Sequence, residues 1–131
     1  NARFGCGDFF VAEADESDGS FLKYVPYGAI ITNIESEHMD YFQTEEALTA
    51  AFQMFMEHVQ NAQLLFYCGD DALLGKLSNG KGFSYGFNEK NDLVIGNYRQ
   101  VDWSSIFDIQ FKGKCISNIT LPLIGSHNAL N

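Results

Sequence analysis

An apolar run passes directly into a dense group of polar side chains in the stretch Ala29-Ile30-Ile31-Thr32-Asn33-Ile34-Glu35-Ser36-Glu37-His38-Met39-Asp40. The run from Ala29 to Thr32 is too short for a helix and is rich in β-branched residues, which is typical of a buried parallel strand. Polar groups that follow such a strand lie at its carboxyl end, where open α/β sheets bind their ligands. The stretch therefore predicts an α/β fold with a ligand site near His38.

A second stretch nearer the N-terminus has the same arrangement. The apolar run Phe9-Phe10-Val11-Ala12 precedes the acidic group Glu13-Ala14-Asp15-Glu16-Ser17-Asp18. If both runs form neighbouring strands, Glu13 and His38 meet at one edge of the sheet. Magnesium can bridge carboxylate and phosphate oxygens there, so the two stretches predict a nucleotide and magnesium site. The simpler alternative is a solvated cap at residues 13–18 and an ordinary surface histidine at position 38.

Composition limits the kind of protein and its partners. The chain has 131 residues, 46% of them hydrophobic, and twelve are Phe, which indicates one globular domain. A net charge of -9 with only eight Lys and Arg argues against a nucleic-acid partner. No apolar run approaches the roughly 20 residues that span a bilayer, so we expect no membrane partner. Cys6, Cys68 and Cys115 are an odd number without metal-type spacing, which favours reduced thiols and a cytoplasmic location.

The first part of the chain alternates helices and strands. Thr44 is a predicted helix N-cap, and apolar residues at three-or-four spacing extend the helix to about Gln60. Gln63–Cys68 is a predicted buried strand. Residues 70–77 follow as a short capped helix that ends at Asn79-Gly80.

From Gly82 onward the pattern changes to short strands separated by turn residues, which favours antiparallel pairing. The predicted strands are Phe83–Phe87, Leu93–Val101, Ile106–Phe111 and Cys115–Leu123. The expected fold class is therefore α/β, with a parallel sheet flanked by helices plus a small antiparallel sheet.

Amide side chains lie three residues apart in the closing segment Gly125-Ser126-His127-Asn128-Ala129-Leu130-Asn131. They face the same side if a helix begins here. An Asn side chain offers a donor and an acceptor, the combination that reads an adenine edge. The same residues are also ordinary turn and N-cap residues, so the segment alone leaves both interpretations open.

Three motifs together carry a resemblance to a known family. Glu13–Asp18, Thr32–Ile34 with His38–Asp40, and His127–Asn131 occur in the order and at about the spacing of the Mur ligase central domain. The resemblance covers essentially the whole chain. Glu37 stands where the family usually has Asp, a change that keeps the charge, and we expect it to be tolerated.

The resemblance implies ATP-dependent formation of an amide bond in peptidoglycan synthesis, with ATP and Mg²⁺ as cofactors. Within the family, the motifs are most similar to the branch whose substrates are UDP-N-acetylmuramate and L-alanine. There, the muramyl carboxylate becomes an acyl phosphate that the amine attacks. Two alternatives stay open. One is the branch that attaches a recycled tripeptide, which tends to have Tyr at the position of Ser17, and the other is a non-catalytic nucleotide or magnesium-binding module.

Seven residues match functional positions of the family. The implied metal-binding and catalytic residues are Glu13 and His38; the implied adenine contacts are His127, Asn128 and Asn131; the implied substrate contacts are Ser17 and Asn33.

The resemblance also implies a domain organisation. Residues 1–131 correspond to part of the central domain, with an α/β part at 1–80, an antiparallel hairpin part at 81–124 and the start of the His-Asn helix at 125–131. The chain contains no Gly-rich loop ending in Gly-Lys-Thr. In the family this loop lies upstream of the glutamate motif, and separate N- and C-terminal domains bind the uridine nucleotide and the amino acid. We therefore expect this chain to need the other domains of the same polypeptide for activity.

Overall fold

A computed structural model describes residues 5–35 and 39–131, and its main feature is one mixed sheet of six strands in chain order. The strands are β1 (Ala29–Ile31), β2 (Leu65–Cys68), β3 (Phe83–Gly86), β4 (Leu93–Val101), β5 (Ser104–Phe111) and β6 (Lys114–Leu121). The helices are α1 (Met39–Phe42), α2 (Glu45–His58), α3 (Ala72–Leu77) and α4 (Ser126–Leu130), with 3₁₀ turns at Ser20–Lys23 and Ala62–Leu64. In the part of the chain that the structure describes, no helix is long and apolar enough to cross a membrane.

The strands β1 to β4 are parallel; the carboxyl ends of β1, β2 and β3 share one edge of the sheet, and β4 begins at that edge. Helix α2 lies between β1 and β2 in the chain, and the predicted Thr44 N-cap is confirmed because its hydroxyl accepts the Ala47 N–H at 3.1 Å. We call the cluster of buried apolar residues that includes Phe21, Leu65 and Leu74 the main core, and the apolar face of α2 is buried in it. The buried residues of α2 are Leu48, Ala51, Phe52, Phe55 and Met56.

The parallel pairing of β3 with β4 corrects the prediction of antiparallel strands from Gly82 onward. Parallel neighbours ordinarily need a crossover of a dozen or more residues. Here β4 starts opposite the end of β3, because Leu93 pairs with Tyr85, so residues 87–92 suffice as a connection. The antiparallel part begins only at β4, and it continues the parallel sheet rather than forming a separate one.

The long arm β4–β5–β6 contains two irregularities of strand register. One falls between Gly96 and Arg99, and the other between Phe107 and Ile109. Asp108 lies beside both, because its carboxylate accepts the Asn97 Nδ2–H at 2.7 Å and the Asn118 N–H at 2.8 Å. A single side chain thus joins three strands.

The predicted strand Phe9–Ala12 is wrong. Residues 9–12 have no strand structure, and Phe9, Phe10 and Val11 are 86%, 92% and 89% exposed. A strand exists only through hydrogen bonds to a neighbour, and within the described residues the sheet ends at β1 on this side. Apolar composition therefore indicated a strand for which the described chain supplies no partner.

Candidate functional site

A cleft of about 320 Å³ opens at the carboxyl ends of β1 and β2. Its lining comes from the segment after β1, the segment after β2 and helix α4. We call it the carboxyl-edge cleft; it is lined by Thr32, Asn33, Glu35, Cys68, Asp70, Asp71, His127, Leu130 and Asn131. This is the position at which open α/β sheets bind ligands.

The segment after β1 presents Asn33 and Glu35 to the cleft in a fixed arrangement. Asn33 Oδ1 accepts a hydrogen bond from the Thr32 hydroxyl at 3.0 Å, and its Nδ2 donates to Glu35 Oε1 at 2.8 Å. Between them, Ile34 packs against the main core. The alternation of an inward apolar residue with outward polar ones therefore follows the strand pattern past the end of β1.

Asp71 links this segment to the start of α3. One carboxylate oxygen, Oδ1, accepts the N–H groups of Leu73 at 2.8 Å and Leu74 at 3.0 Å, which makes Asp71 the N-cap. The other oxygen, Oδ2, accepts the Ile34 N–H at 3.1 Å. Both oxygens are thus engaged with backbone donors from two different elements.

Asp70 holds the connection between β3 and β4. Its carboxylate accepts the N–H groups of Phe87 at 2.7 Å and Asn88 at 3.1 Å, and the Asn91 Nδ2–H at 2.9 Å. A β-carbon at Gly86 would lie 2.5 Å from the Asp70 carboxyl carbon, so this approach requires glycine. Asp70, which lines the cleft, is therefore held in place by the connection between β3 and β4.

Helix α4 is held against the sheet by its apolar residues. Ala129 is buried, and Leu130 packs both against the main core and against a second apolar cluster that contains Ile95 and Phe107. This packing places His127 and Asn131 along the wall of the cleft. The predicted helix start at residues 125–131 is confirmed.

Asn128 does not line the cleft. Its Nδ2 donates to the Ile124 carbonyl at 2.7 Å and lies 3.1 Å from His127 Nε2. When Asn128 donates to that nitrogen, the neutral imidazole carries its proton on Nδ1. The contact can therefore set the orientation and tautomer of His127.

The charge of the cleft is negative. Glu35, Asp70 and Asp71 contribute carboxylates, and none of the described residues in its lining is Lys or Arg. Such a lining disfavours phosphate groups and suits a neutral base, hydroxyl groups or a cation.

The acidic motif at residues 13–18 lies elsewhere. Glu13 is exposed in a segment without regular secondary structure, and neither Glu13 nor Ser17 lines the cleft. Ser17 is half-buried, and its N–H donates to Asp15 Oδ1 at 2.8 Å. Hydrogen bonds from Ser20 lower the pKa of Asp18 below its ordinary value of 3.8. The motif thus forms a turn that leads into the 3₁₀ turn at Ser20.

The structure describes only one of the two predicted metal ligands, Glu13 and His38. His38 lies outside the described residues, and no group of three or more His, Cys, Asp or Glu residues within 5–35 and 39–131 could hold an ion. Metal binding by Glu13 and His38 therefore stays a prediction.

The sequence predicts Asn33, His127 and Asn131 as site residues, and the structure brings all three to one cleft. For Asp70 and Asp71 the sequence predicts only the start of a helix. Their signal was present, because they follow the buried strand β2 directly and so lie at the same edge as Asn33.

Comparison with known proteins identifies the family and the fold. The family model described as the Mur ligase middle domain matches residues 6–131. The UDP-N-acetylmuramate–L-alanine ligase of Protochlamydia amoebophila is 49% identical over the whole chain, which spans 29% of that ligase's length.

Two solved structures share the fold. The UDP-N-acetylmuramate–alanine ligase of Thermotoga maritima superposes with a TM-score of 0.73 at 21% identity, over 88% of this chain and 26% of that one. The MurF ligase of the same organism, crystallised with ADP, gives 0.63 at 18% identity, over 86% of this chain and 27% of that one. With the family match over nearly its whole length, the chain belongs to the Mur ligase middle-domain family.

Proposed function

We propose that this chain is part of the middle domain of a ligase that joins L-alanine to UDP-N-acetylmuramate at the expense of ATP. The observation that carries the proposal is the 49% identity, over the full chain, to a ligase of that name. The recycling ligase for a tripeptide and a non-catalytic binding module are the alternatives that the experiment below separates. The three cysteines are free, and we place the ligase in the cytoplasm.

The carboxyl-edge cleft is the proposed site for the nucleotide base. Adenine is neutral, and the cleft offers carboxylates without a lysine or arginine, which suits a base better than a triphosphate. Asn131 can both donate to and accept from an adenine edge, and His127 lies beside it. Asn128 would then act through its contact with His127 rather than by touching the base.

The β1 side of the cleft is the proposed substrate side. Asn33 is held by Thr32 and Glu35 before any ligand arrives, so it loses little side-chain entropy on binding. Ser17 stays a proposed substrate contact at the turn of the acidic motif. Placing the muramyl carboxylate against the γ-phosphate is a positioning task, to which fixed side chains contribute most.

The proposed reaction has two balanced steps. A carboxylate oxygen of UDP-N-acetylmuramate attacks the γ-phosphorus of ATP, which forms an acyl phosphate and releases ADP. The amine of L-alanine then attacks the acyl carbon, and inorganic phosphate leaves with the amide formed and one proton lost from nitrogen. The base end of ATP must stay fixed during the first step, which is the proposed task of α4.

Magnesium remains part of the proposal through Glu13 and His38. A carboxylate is a preferred magnesium ligand, whereas an imidazole nitrogen is less so. The described residues do not gather a metal site by themselves. When bound, Mg²⁺ supplies charge screening for the phosphates, and Glu13 would have to reach the cleft for this chain to hold it there.

The test is phosphate release by the full-length ligase that carries this domain. With ATP, Mg²⁺ and UDP-N-acetylmuramate present, L-alanine is compared with the tripeptide L-Ala-D-Glu-diaminopimelate. Release that depends on L-alanine is the expected result. Release with the tripeptide alone would assign the recycling reaction, and no release with either would favour the binding module.

A further inference from the structure

We propose that Asp71 is a positioning residue that holds the substrate side of the carboxyl-edge cleft in place, an inference that rests on the proposed function. Asp71 lines the cleft and is half-buried between the segment after β1 and the start of α3. Its two oxygens have separate tasks.

The first oxygen does what any N-cap does. Asp71 Oδ1 accepts the N–H groups of Leu73 and Leu74 at 2.8 and 3.0 Å. These N–H groups belong to the first turn of α3 and have no acceptor within the helix. Thr44 shows that one oxygen is sufficient, because its single hydroxyl caps the longer helix α2 through the Ala47 N–H. Capping therefore does not explain why residue 71 carries a second acceptor.

The second oxygen reaches across to a different strand end. Asp71 Oδ2 accepts the Ile34 N–H at 3.1 Å, from a residue 37 positions earlier in the chain. Ile34 lies between Asn33 and Glu35, two of the side chains that the segment after β1 presents to the cleft. Since β1 ends at Ile31, no strand pairing among the described residues fixes this segment. Asp71 supplies the hydrogen bond that pairing would otherwise provide.

The proposal also accounts for the orientation of Asn33. The side chain of Ile34 packs into the main core, while its N–H is held by Asp71. These two contacts fix the backbone on either side of Ile34, so the Asn33 amide can keep its bonds to Thr32 and Glu35. Among the described contacts of Ile34, the packing of its side chain would remain if the Asp71 contact were lost.

The substitution Asp71→Asn separates the two tasks. Asn caps helices about as well as Asp, so its single oxygen can keep the α3 contacts. Its NH₂ group would then face the Ile34 N–H and cannot accept from it. Asp71→Ser gives the same separation by another route, because a hydroxyl caps α3 but is too short to reach Ile34. Thr44→Ala is the matched control, since it removes a helix cap that is not at the cleft.

The experiment measures steady-state kinetics of the full-length ligase, normalised to the folded fraction seen by circular dichroism at the assay temperature. We expect Asp71→Asn and Asp71→Ser to lower kcat/KM for UDP-N-acetylmuramate about tenfold or more, since small misplacements of a positioning group have effects of this size. The KM for ATP should stay near the wild-type value, because α4 is not disturbed. Thr44→Ala should keep wild-type kinetics per folded molecule.

A second readout is independent of activity. Amide hydrogen exchange at Ile34 should be protected in the wild type and faster in both Asp71 variants. Wild-type kinetics in both variants, or unchanged exchange at Ile34, would overturn the proposal. A wild-type ligase that lacks L-alanine-dependent release would contradict the proposed function instead, and the exchange measurement would still decide the role of Asp71.

Discussion

At the scale of single residues, Asn131 carries the most specific expectation. It lies at the end of α4 and lines the cleft, where its amide offers the donor and acceptor that an adenine edge requires. The neighbouring amide, Asn128, is engaged with Ile124 and His127 instead. Two amides that look equivalent in the sequence thus have different surroundings.

The substitution Asn131→Ala in the full-length ligase should raise the Kd for ATP about tenfold. A tenfold change corresponds to about 1.4 kcal/mol, and the loss of two hydrogen bonds of roughly 0.5–1.5 kcal/mol each is of that size. Isothermal titration calorimetry measures it directly. Gln53→Ala removes an exposed amide from α2, away from the cleft, and should leave the Kd unchanged. Equal Kd values for wild type and Asn131→Ala would remove this residue from the nucleotide site.

Asp71 shows why some of the site could not be predicted from the sequence. An Asp before Ala72-Leu73-Leu74 indicates a helix cap, and that part is confirmed. Its second contact joins it to Ile34 across 37 positions. No local pattern specifies such a partner, because it depends on which strands become neighbours.

At the scale of elements, α2 was predictable because its signals are local. The Thr44 cap and the apolar spacing both act within one or two turns. The direction of β3 was not predictable in this way, since periodicity shows which residues are buried but not which strand lies alongside. Phe9–Ala12 failed for the same reason: its composition suits a strand, but pairing needs a partner.

The cap of α2 gives a stability prediction for the 131-residue chain. Thr44→Ala should lower the free energy of unfolding by about 1 kcal/mol, because the Ala47 N–H loses its acceptor. Urea unfolding monitored by circular dichroism measures the difference. Thr49→Ala, inside the same helix, should be neutral or slightly stabilising because Ala has the higher helix propensity. Equal losses at the two positions would show that capping is not the cause.

Asp108 gives a pH-dependent prediction for the β4–β5–β6 arm. Hydrogen bonds from the Asn97 side chain, and then from the Asn118 N–H, lower the pKa of Asp108 below its ordinary value of 3.8. A carboxylate with a lowered folded pKa stabilises the fold fully above that ordinary value, and the contribution is lost as the pH falls through the folded pKa.

Asp108→Asn should therefore destabilise the chain at neutral pH and reduce the further loss that acid causes. Thermal unfolding at pH about 7 and pH about 3 should show a smaller difference in Tm for the variant than for the wild type. Asp102→Asn, at the exposed turn between β4 and β5, is a suitable control. An identical pH dependence in wild type and Asp108→Asn would contradict the role of this carboxylate.

At the scale of the whole molecule, this chain spans 29% of the length of its Protochlamydia amoebophila relative. Its net charge is -9, and the cleft contains three carboxylates without Lys or Arg among the described lining residues. A triphosphate would therefore lack positive partners within this cleft. The proposed activity depends on residues beyond those that line it.

We accordingly expect the 131-residue chain by itself to bind ATP weakly or not at all, whereas the full-length ligase should bind it in the presence of Mg²⁺. Calorimetry of both proteins under one set of conditions makes the comparison. Tight, magnesium-dependent binding of ATP by residues 1–131 would contradict the electrostatic argument.

We expect the wall of the carboxyl-edge cleft that α4 forms to receive the base of the nucleotide. Photolabelling of the full-length ligase with 8-azidoadenosine triphosphate, followed by peptide mapping, shows which residues the base contacts. We expect label in the α4 peptide, residues 125–131, and loss of label when excess ATP competes. Competed label confined to other parts of the protein would contradict the claim.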